Sequence, residues 1–275
     1  MIPVKKSSQL LDEKLAERTR QRFLSELRHH FQGWHSKVSS DFSDETFQSE
    51  LQNLKRDPVY SAFGFATPEY TLIRLMGRVS ISIGRRLGEI YDKVPRFAAQ
   101  ERFGLDSSSV APKLGGELEL DICVPLHKLT VSDRQHVSSV MSSHLKSVPI
   151  QNGLGIEIRY NFNPNDSARL RKDVRMAKLL RDDGLTGIYL IFSTISPRHE
   201  AIARLKRAGW TFLVGNPATN FMIDLVGMDF GTILGSAEIR KETESAVSRI
   251  MHAIYQSNGV RDILATYPAR TTGSG

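Results

Sequence analysis

A chain of 275 residues with 40% hydrophobic and 24% charged side chains has the composition of a globular protein, and it is long enough to bury a full core. No stretch approaches the roughly 20 consecutive apolar residues of a membrane span, and a single cysteine, Cys123, excludes an internal disulfide framework. The first eight residues lack the apolar run of a signal peptide, so a reducing, cytoplasmic setting without membrane attachment is expected, while the net charge of +7 and pI near 9.5 favour a polyanionic partner.

Residues 8–36 read as a helix, because Leu24, Leu27, Phe31 and Trp34 recur at helical spacing with charged residues between them. His29, His30 and His35 on that segment read as ordinary surface histidines. A second helix is expected over 44–55, with Phe47, Leu51 and Leu54 on one side, ended by Arg56-Asp57-Pro58. Residues 58–66 read as a loop. The chain thus divides into a helical N-terminal region (1–65), an α/β core (66–260) and a C-terminal tail (261–275).

Thr67-Pro68 supplies a cap and a first-turn proline for a long helix reaching about Tyr91. Gly77, Ser80, Gly84 and Gly88 along it predict close packing of this helix on a neighbour. A short helix is expected over 94–103, then a loop marked by Ser107-Ser-Ser109 and Gly115-Gly116. Glu117-Leu-Glu-Leu-Asp121-Ile-Cys-Val124 alternates apolar and charged residues and predicts a strand. Residues 131–147 read as a helix with Val137, Val140 and Met141 inward. After the Asn152-Gly153 turn, Gly155-Ile-Glu157-Ile-Arg159-Tyr160 predicts a second alternating strand. A basic amphipathic helix over 166–181 carries Arg169, Arg171, Lys172, Arg175, Lys178 and Arg181. Gly187 to Phe192 is a continuous apolar run, as in a strand buried on both faces. Ser196-Pro197 opens a helix that stops at Gly209, and Trp210–Val214 is a strand. Phe221–Val226 reads as a further strand within an otherwise loop-like 215–235. Residues 236–256 read as a helix, and Arg270–Gly275 as a disordered end. The order predicts an α/β fold: a central mixed β-sheet flanked by helices, with a helical N-terminal part.

Side chains two apart on a strand share a face. Glu117, Glu119 and Asp121 therefore share one face, as do Glu157 and Arg159, and pairing of the two strands would gather carboxylates beside a cation. Hard divalent cations take carboxylate oxygens, and a cation beside them can meet a phosphoryl oxygen or orient water. One such strand alone is ordinarily a solvated sheet face. Two of them, followed by a basic helix and a buried strand, point to a metal site, with Asp121 favoured over Glu117 and Glu119 because it lies deeper in the apolar run. Gly115-Gly116 and Gly153-Leu-Gly155 lack the Lys-Ser/Thr of a phosphate loop, and no Gly-x-Ser-x-Gly elbow or Cys/His pair suggests a covalent nucleophile.

A long helix ending near Glu89, a strand with Leu120-Asp121, a strand reading Glu157-Ile158-Arg159, then a helix and an apolar strand resemble the PD-(D/E)xK nuclease superfamily, which includes many type II restriction endonucleases. The resemblance covers about residues 69–215. It implies a restriction-endonuclease-like core and a Mg²⁺-dependent, site-specific cut in double-stranded DNA. It also implies Asp121 and Glu157 as metal ligands with Glu89 beside them, and Arg159 as the third catalytic group. In two respects the chain departs from the pattern. Arginine stands where the motif has lysine and stays protonated, so it can stabilise charge or orient water but not act as a base; either a lysine from elsewhere, Lys172 for instance, reaches in, or the site is degenerate. Asp121 and Glu157 are also separated by more than a hairpin. Arg169, Arg171, Lys172, Arg175 and Lys178 are expected to contact the DNA backbone, and a homodimer is expected because cutting both strands of a palindrome calls for two related sites. The alternatives are a repair or transposition nuclease of the same fold, and a nucleic-acid-binding protein without catalysis.

Overall fold

The computed structural model describes residues 5–146, 148–161, 167–194 and 199–267. The chain falls into two compact units, one of residues 1–24 and 87–235, the other of 25–86 and 236–275. Two long helices, α1 (Lys5–Asp41) and α4 (Pro68–Phe103), contribute residues to both. Among the described residues no helix is long and apolar enough to cross a membrane.

The second unit is helical. Leu27, Phe31 and Trp34 of α1 are buried, as the spacing predicts, and so is Val38, beyond the expected helix end at 36. His30 is buried as well, 3.5 Å from Glu26, which corrects its reading as a surface histidine. Helix α2 (Asp44–Arg56) is capped by Ser43 and buries Phe47, Leu51 and Leu54. Residues 58–66 are not all loop: Asp57 closes α2, and its carboxylate then accepts from the N–H groups of Val59 and Tyr60 to start a short helix α3 (Pro58–Ala62). Asp–Pro supplies a cap and a first-turn proline at once, and that is why the chain re-enters helix. The helix α4 begins as expected, with Thr67 Oγ1 accepting from the Tyr70 N–H at 3.2 Å. Among the described residues, the expected close packing is not found at Gly77 and Gly88, where an added Cβ would meet nothing within 4 Å.

The first unit holds the sheet. Helix α4 does not stop at Tyr91 but runs through Pro95 to Phe103, merging the two helices expected there. A proline inside a helix loses one backbone hydrogen bond; here the flanking Val94, Ala98 and Ala99 are fully buried, and that burial offsets the loss. The stretch marked by Ser107-Ser-Ser109 carries a one-turn helix α5 (Ser107–Val110), capped by the Asp106 carboxylate. The expected strand over 117–124 is in fact broken. A hairpin of β1 (Lys113–Leu114) and β2 (Leu118–Glu119) precedes β3 (Ile122–Pro125), and Asp121 lies at the junction. Helix α6 (Val131–His144), capped by Thr130, separates β3 from β4 (Gly153–Arg159). Then follow α7 (Ser167–Asp182), β5 (Leu185–Ile191), α8 (His199–Ala208) and β6 (Thr211–Val214). The expected strand at Phe221–Val226 is instead part of helix α9 (Asn216–Val226): Phe221, Met222, Leu225 and Val226 are buried at helical spacing, which a short apolar run does not distinguish from a strand. Helices α10 (Phe230–Gly235), α11 (Ala237–Gln256) and α12 (Asn258–Thr266) complete the chain, the last two in the second unit. The helix opening at Ser196-Pro197 and the end at 270–275 lie outside the described residues.

The sheet has the order β3-β4-β5-β6, with β3 antiparallel to β4 and the other pairs parallel. It is therefore the mixed, helix-flanked sheet expected. One face, with Ile122, Val124, Leu154, Ile156, Ile158, Ile188 and Leu190, is fully buried. The opposite face carries Cys123, Gly155, Glu157, Gly187, Tyr189 and Ile191 toward α7 and α8, whose Met176, Ala177, Leu180, Ala201 and Leu205 close a core with Trp210. Glycine at 155 is required by close approach: a Cβ there would overlap the Leu180 side chain, and one at Gly187 would lie 3.2 Å from Trp210. These two positions let α7 settle over the sheet beside the acidic residues of β4.

Candidate functional site

The antiparallel register pairs Ile122 with Ile156, so the next step along it sets Asp121 opposite Glu157. The parallel register pairs Glu157 with Tyr189, and Tyr189 with Phe212. A row of side chains thus runs from Asp121, just ahead of β3, across β4, β5 and β6. The expected convergence of Asp121, Glu157 and Arg159 is present. Asp121 Oδ2 accepts from the Ile158 N–H at 2.7 Å and from Arg159 Nη1 at 3.1 Å, while Arg159 Nη2 donates to Glu157 Oε1. Arg159 therefore bridges the two carboxylates. Its guanidinium carbon lies 5.7 Å from the centre of the Tyr189 ring, and Tyr189 stacks on Phe212 at 4.8 Å.

Tyr189 hydroxyl donates to Asp173 Oδ2 at 3.0 Å, and the indole N–H of Trp210 donates to the Asp173 carbonyl at 2.8 Å. Helix α7 is thereby tied to the sheet by a buried acidic side chain. The helix α4 is tied from the other side. Arg96 Nε donates to the Asp121 carbonyl at 3.0 Å and its Nη1 to Glu119 at 2.7 Å, and Tyr91 packs against Tyr160 and Phe192. Asp92, one turn before Arg96, comes within electrostatic reach of Asp121.

Burial and crowding set the protonation of this cluster. Glu157 is only 2% exposed. Burial, then repulsion from Asp121, push its carboxyl up to about 8 against the pull of Arg159. Burial and the Asp121 charge likewise push Asp92 up to about 7, and burial raises Asp173. Burial opposes the charge on Arg159, yet Glu157 and Asp121 hold it well above its ordinary value, so it is a permanent cation. Among the described residues, Glu157 Oε2 and Asp173 Oδ1 are buried without a hydrogen-bond partner.

Two carboxylates on facing strand positions, one with an unpartnered buried oxygen, form a donor set of the type a hard divalent cation takes. Among the described residues no group of three or more His, Cys, Asp or Glu side chains is gathered in a metal-holding arrangement. Glu117 and Glu119 stand apart from the pair, exposed and engaged with Arg175 and Arg96 at 2.8 and 2.7 Å. Glu89 is half-buried on α4, three residues before Asp92. Arg169, Arg171, Lys172, Arg175 and Lys178 all lie exposed on α7; Arg169 also acts electrostatically on Asp92 and Asp173.

Asp92, Asp173 and Tyr189 were not foreseen from the sequence. Asp92 falls beyond the expected helix end at Tyr91. For Asp173 a signal existed: an acidic residue on the apolar side of a basic helix, next to Val174 and Ala177. No protein-family model matches the chain, and comparison with curated proteins gives no match.

Proposed function

We propose that the protein is a Mg²⁺-dependent endonuclease that hydrolyses phosphodiester bonds in double-stranded DNA, with a restriction-endonuclease-like core and the sequence-specific, homodimeric action of a type II restriction enzyme. The observation that carries this reading is the register that sets Asp121 opposite Glu157 with Arg159 between them. Asp121 and Glu157 would hold the ion, which when bound polarises the phosphodiester and lowers the pKa of a water. Glu89 is the α4 carboxylate expected beside the ion, and Asp92, one turn further along α4 and within electrostatic reach of Asp121, adds a second acid on that helix. Arg159 neutralises charge that develops on the phosphoryl oxygens; a permanent cation removes no proton. Exposed cations on α7 contact backbone phosphates and position the duplex without reading its sequence.

One observation favours a second reading, a nucleic-acid-binding protein without hydrolysis: Arg159 already bridges the carboxylate pair as its counter-charge. Incubation with mixed-sequence plasmid and Mg²⁺ separates the readings. Discrete fragments support the restriction enzyme, structure-dependent nicking a repair nuclease, and binding without cleavage the second reading. Asp121→Ala and Glu157→Ala should abolish cutting and leave DNA binding nearly intact. Normal cutting by both variants would overturn the assignment.

A further inference from the structure

We propose that Arg159 is a built-in counter-ion, so that its guanidinium and a divalent cation are alternative occupants of the Asp121–Glu157 carboxylate pair. This rests on the metal-site reading above. Both terminal nitrogens of Arg159 are committed, Nη1 to Asp121 Oδ2 at 3.1 Å and Nη2 to Glu157 Oε1. The seat is built for it. Tyr189 lies beneath the guanidinium, and the Tyr189 hydroxyl is itself held by Asp173. Without a cation, Asp121 and Glu157 would be two nearly buried carboxylates in mutual repulsion, beside Asp92 and Asp173. The guanidinium offsets part of that penalty in the resting protein.

A metal ion needs oxygen atoms that Arg159 now holds. Its arrival therefore releases at least one of the two guanidinium contacts, and the released cation requires another anion. Backbone phosphate is the partner that a planar guanidinium fits best. Cation and DNA are then linked: each lowers the cost of binding the other, and the coupling is reciprocal. In this scheme Arg159 is a positioning residue in the free protein and reaches phosphate only when the ion is in place.

Calcium, which occupies oxygen sites of this kind, is the probe, titrated calorimetrically into full-length wild type, Arg159→Met and Arg159→Lys. Arg159→Met, which keeps the apolar stem and loses the charge, should bind Ca²⁺ roughly tenfold or more tightly than wild type, with Arg159→Lys between them. A second measurement needs no variant and covers the case in which Arg159→Met does not fold. Saturating mixed-sequence duplex DNA should tighten Ca²⁺ binding to wild type by a similar factor. Wild type binding Ca²⁺ as tightly as the variants, with no effect of DNA, overturns the counter-ion role and leaves the metal site standing. If none of the three proteins binds Ca²⁺ with or without DNA, the metal site itself is lost and the proposal with it.

Discussion

Replacing Asp92 with asparagine removes one of the acidic groups crowded around Asp121 while keeping nearly the same shape. The carboxyl of Asp92 is pushed from the ordinary 3.8 up to about 7 by burial and by Asp121. A raised carboxyl favours the protonated form in the folded state. Its contribution to stability is complete below the unfolded value of 3.8 and is lost as pH rises through about 7. At about 1.4 kcal/mol per unit, that shift sets a ceiling of about 4 kcal/mol on the cost of the ionised group. Relaxation of the neighbours and the amide's own desolvation leave about half of this recoverable. For a chain of this length, 1 kcal/mol moves Tm by about 2 °C. Asp92→Asn should therefore melt at least about 4 °C above wild type at pH 8 and no differently at pH 4. Scanning calorimetry in chelator, across that pH range, reads the difference. A variant that is no more stable at pH 8 than at pH 4, relative to wild type, would show that Asp92 does not share the field of Asp121.

Further substitutions probe the packing around the site and the basic face of α7. Gly155→Ala drives a methyl group into Leu180 and should cost about 1–3 kcal/mol in denaturant unfolding, whereas the same change at Gly77, which faces open space, should gain stability from helix propensity. Tyr189→Phe leaves the buried Asp173 without its hydroxyl donor and should cost about 1–3 kcal/mol, with a larger loss at high pH where Asp173 is ionised. Arg171→Ala and Lys178→Ala should weaken DNA binding by similar factors on any sequence, each lowering the slope of log K against log salt by about 1 if it meets a phosphate. An unchanged slope would remove that residue from the interface. Light scattering on the DNA complex should give the mass of the duplex plus two 30.9 kDa chains if the enzyme acts as a dimer.

The parts of the fold that depend on periodicity were legible from residues alone. Leu24, Leu27, Phe31 and Trp34 announced α1, and the apolar run at 187–192 announced β5, because burial on a regular element imposes a regular spacing. Glu157 and Arg159 were legible for the same reason, since a strand puts alternate residues on one face, whereas Asp121 sits just ahead of β3 and meets them through the β3–β4 register. The misses are tertiary. The helix expected to end near Tyr91 and the one expected over 94–103 are a single α4, in which burial of Val94, Ala98 and Ala99 offsets the bond lost at Pro95, and Asp92 lies in the join. Phe221–Val226 is too short for its period to separate strand from helix. Tyr189 looks like any aromatic residue in an apolar strand until the register of β5 sets it opposite Glu157.

The ion itself gives the most direct test. Crystals soaked in Mn²⁺ and measured for anomalous scattering should show a peak within about 2.5 Å of carboxyl oxygens from both residue 121 and residue 157, with the guanidinium of residue 159 turned away from at least one of them. Cleavage of DNA by a protein whose Mn²⁺ peak lies elsewhere, or touches neither acid, would contradict the assignment.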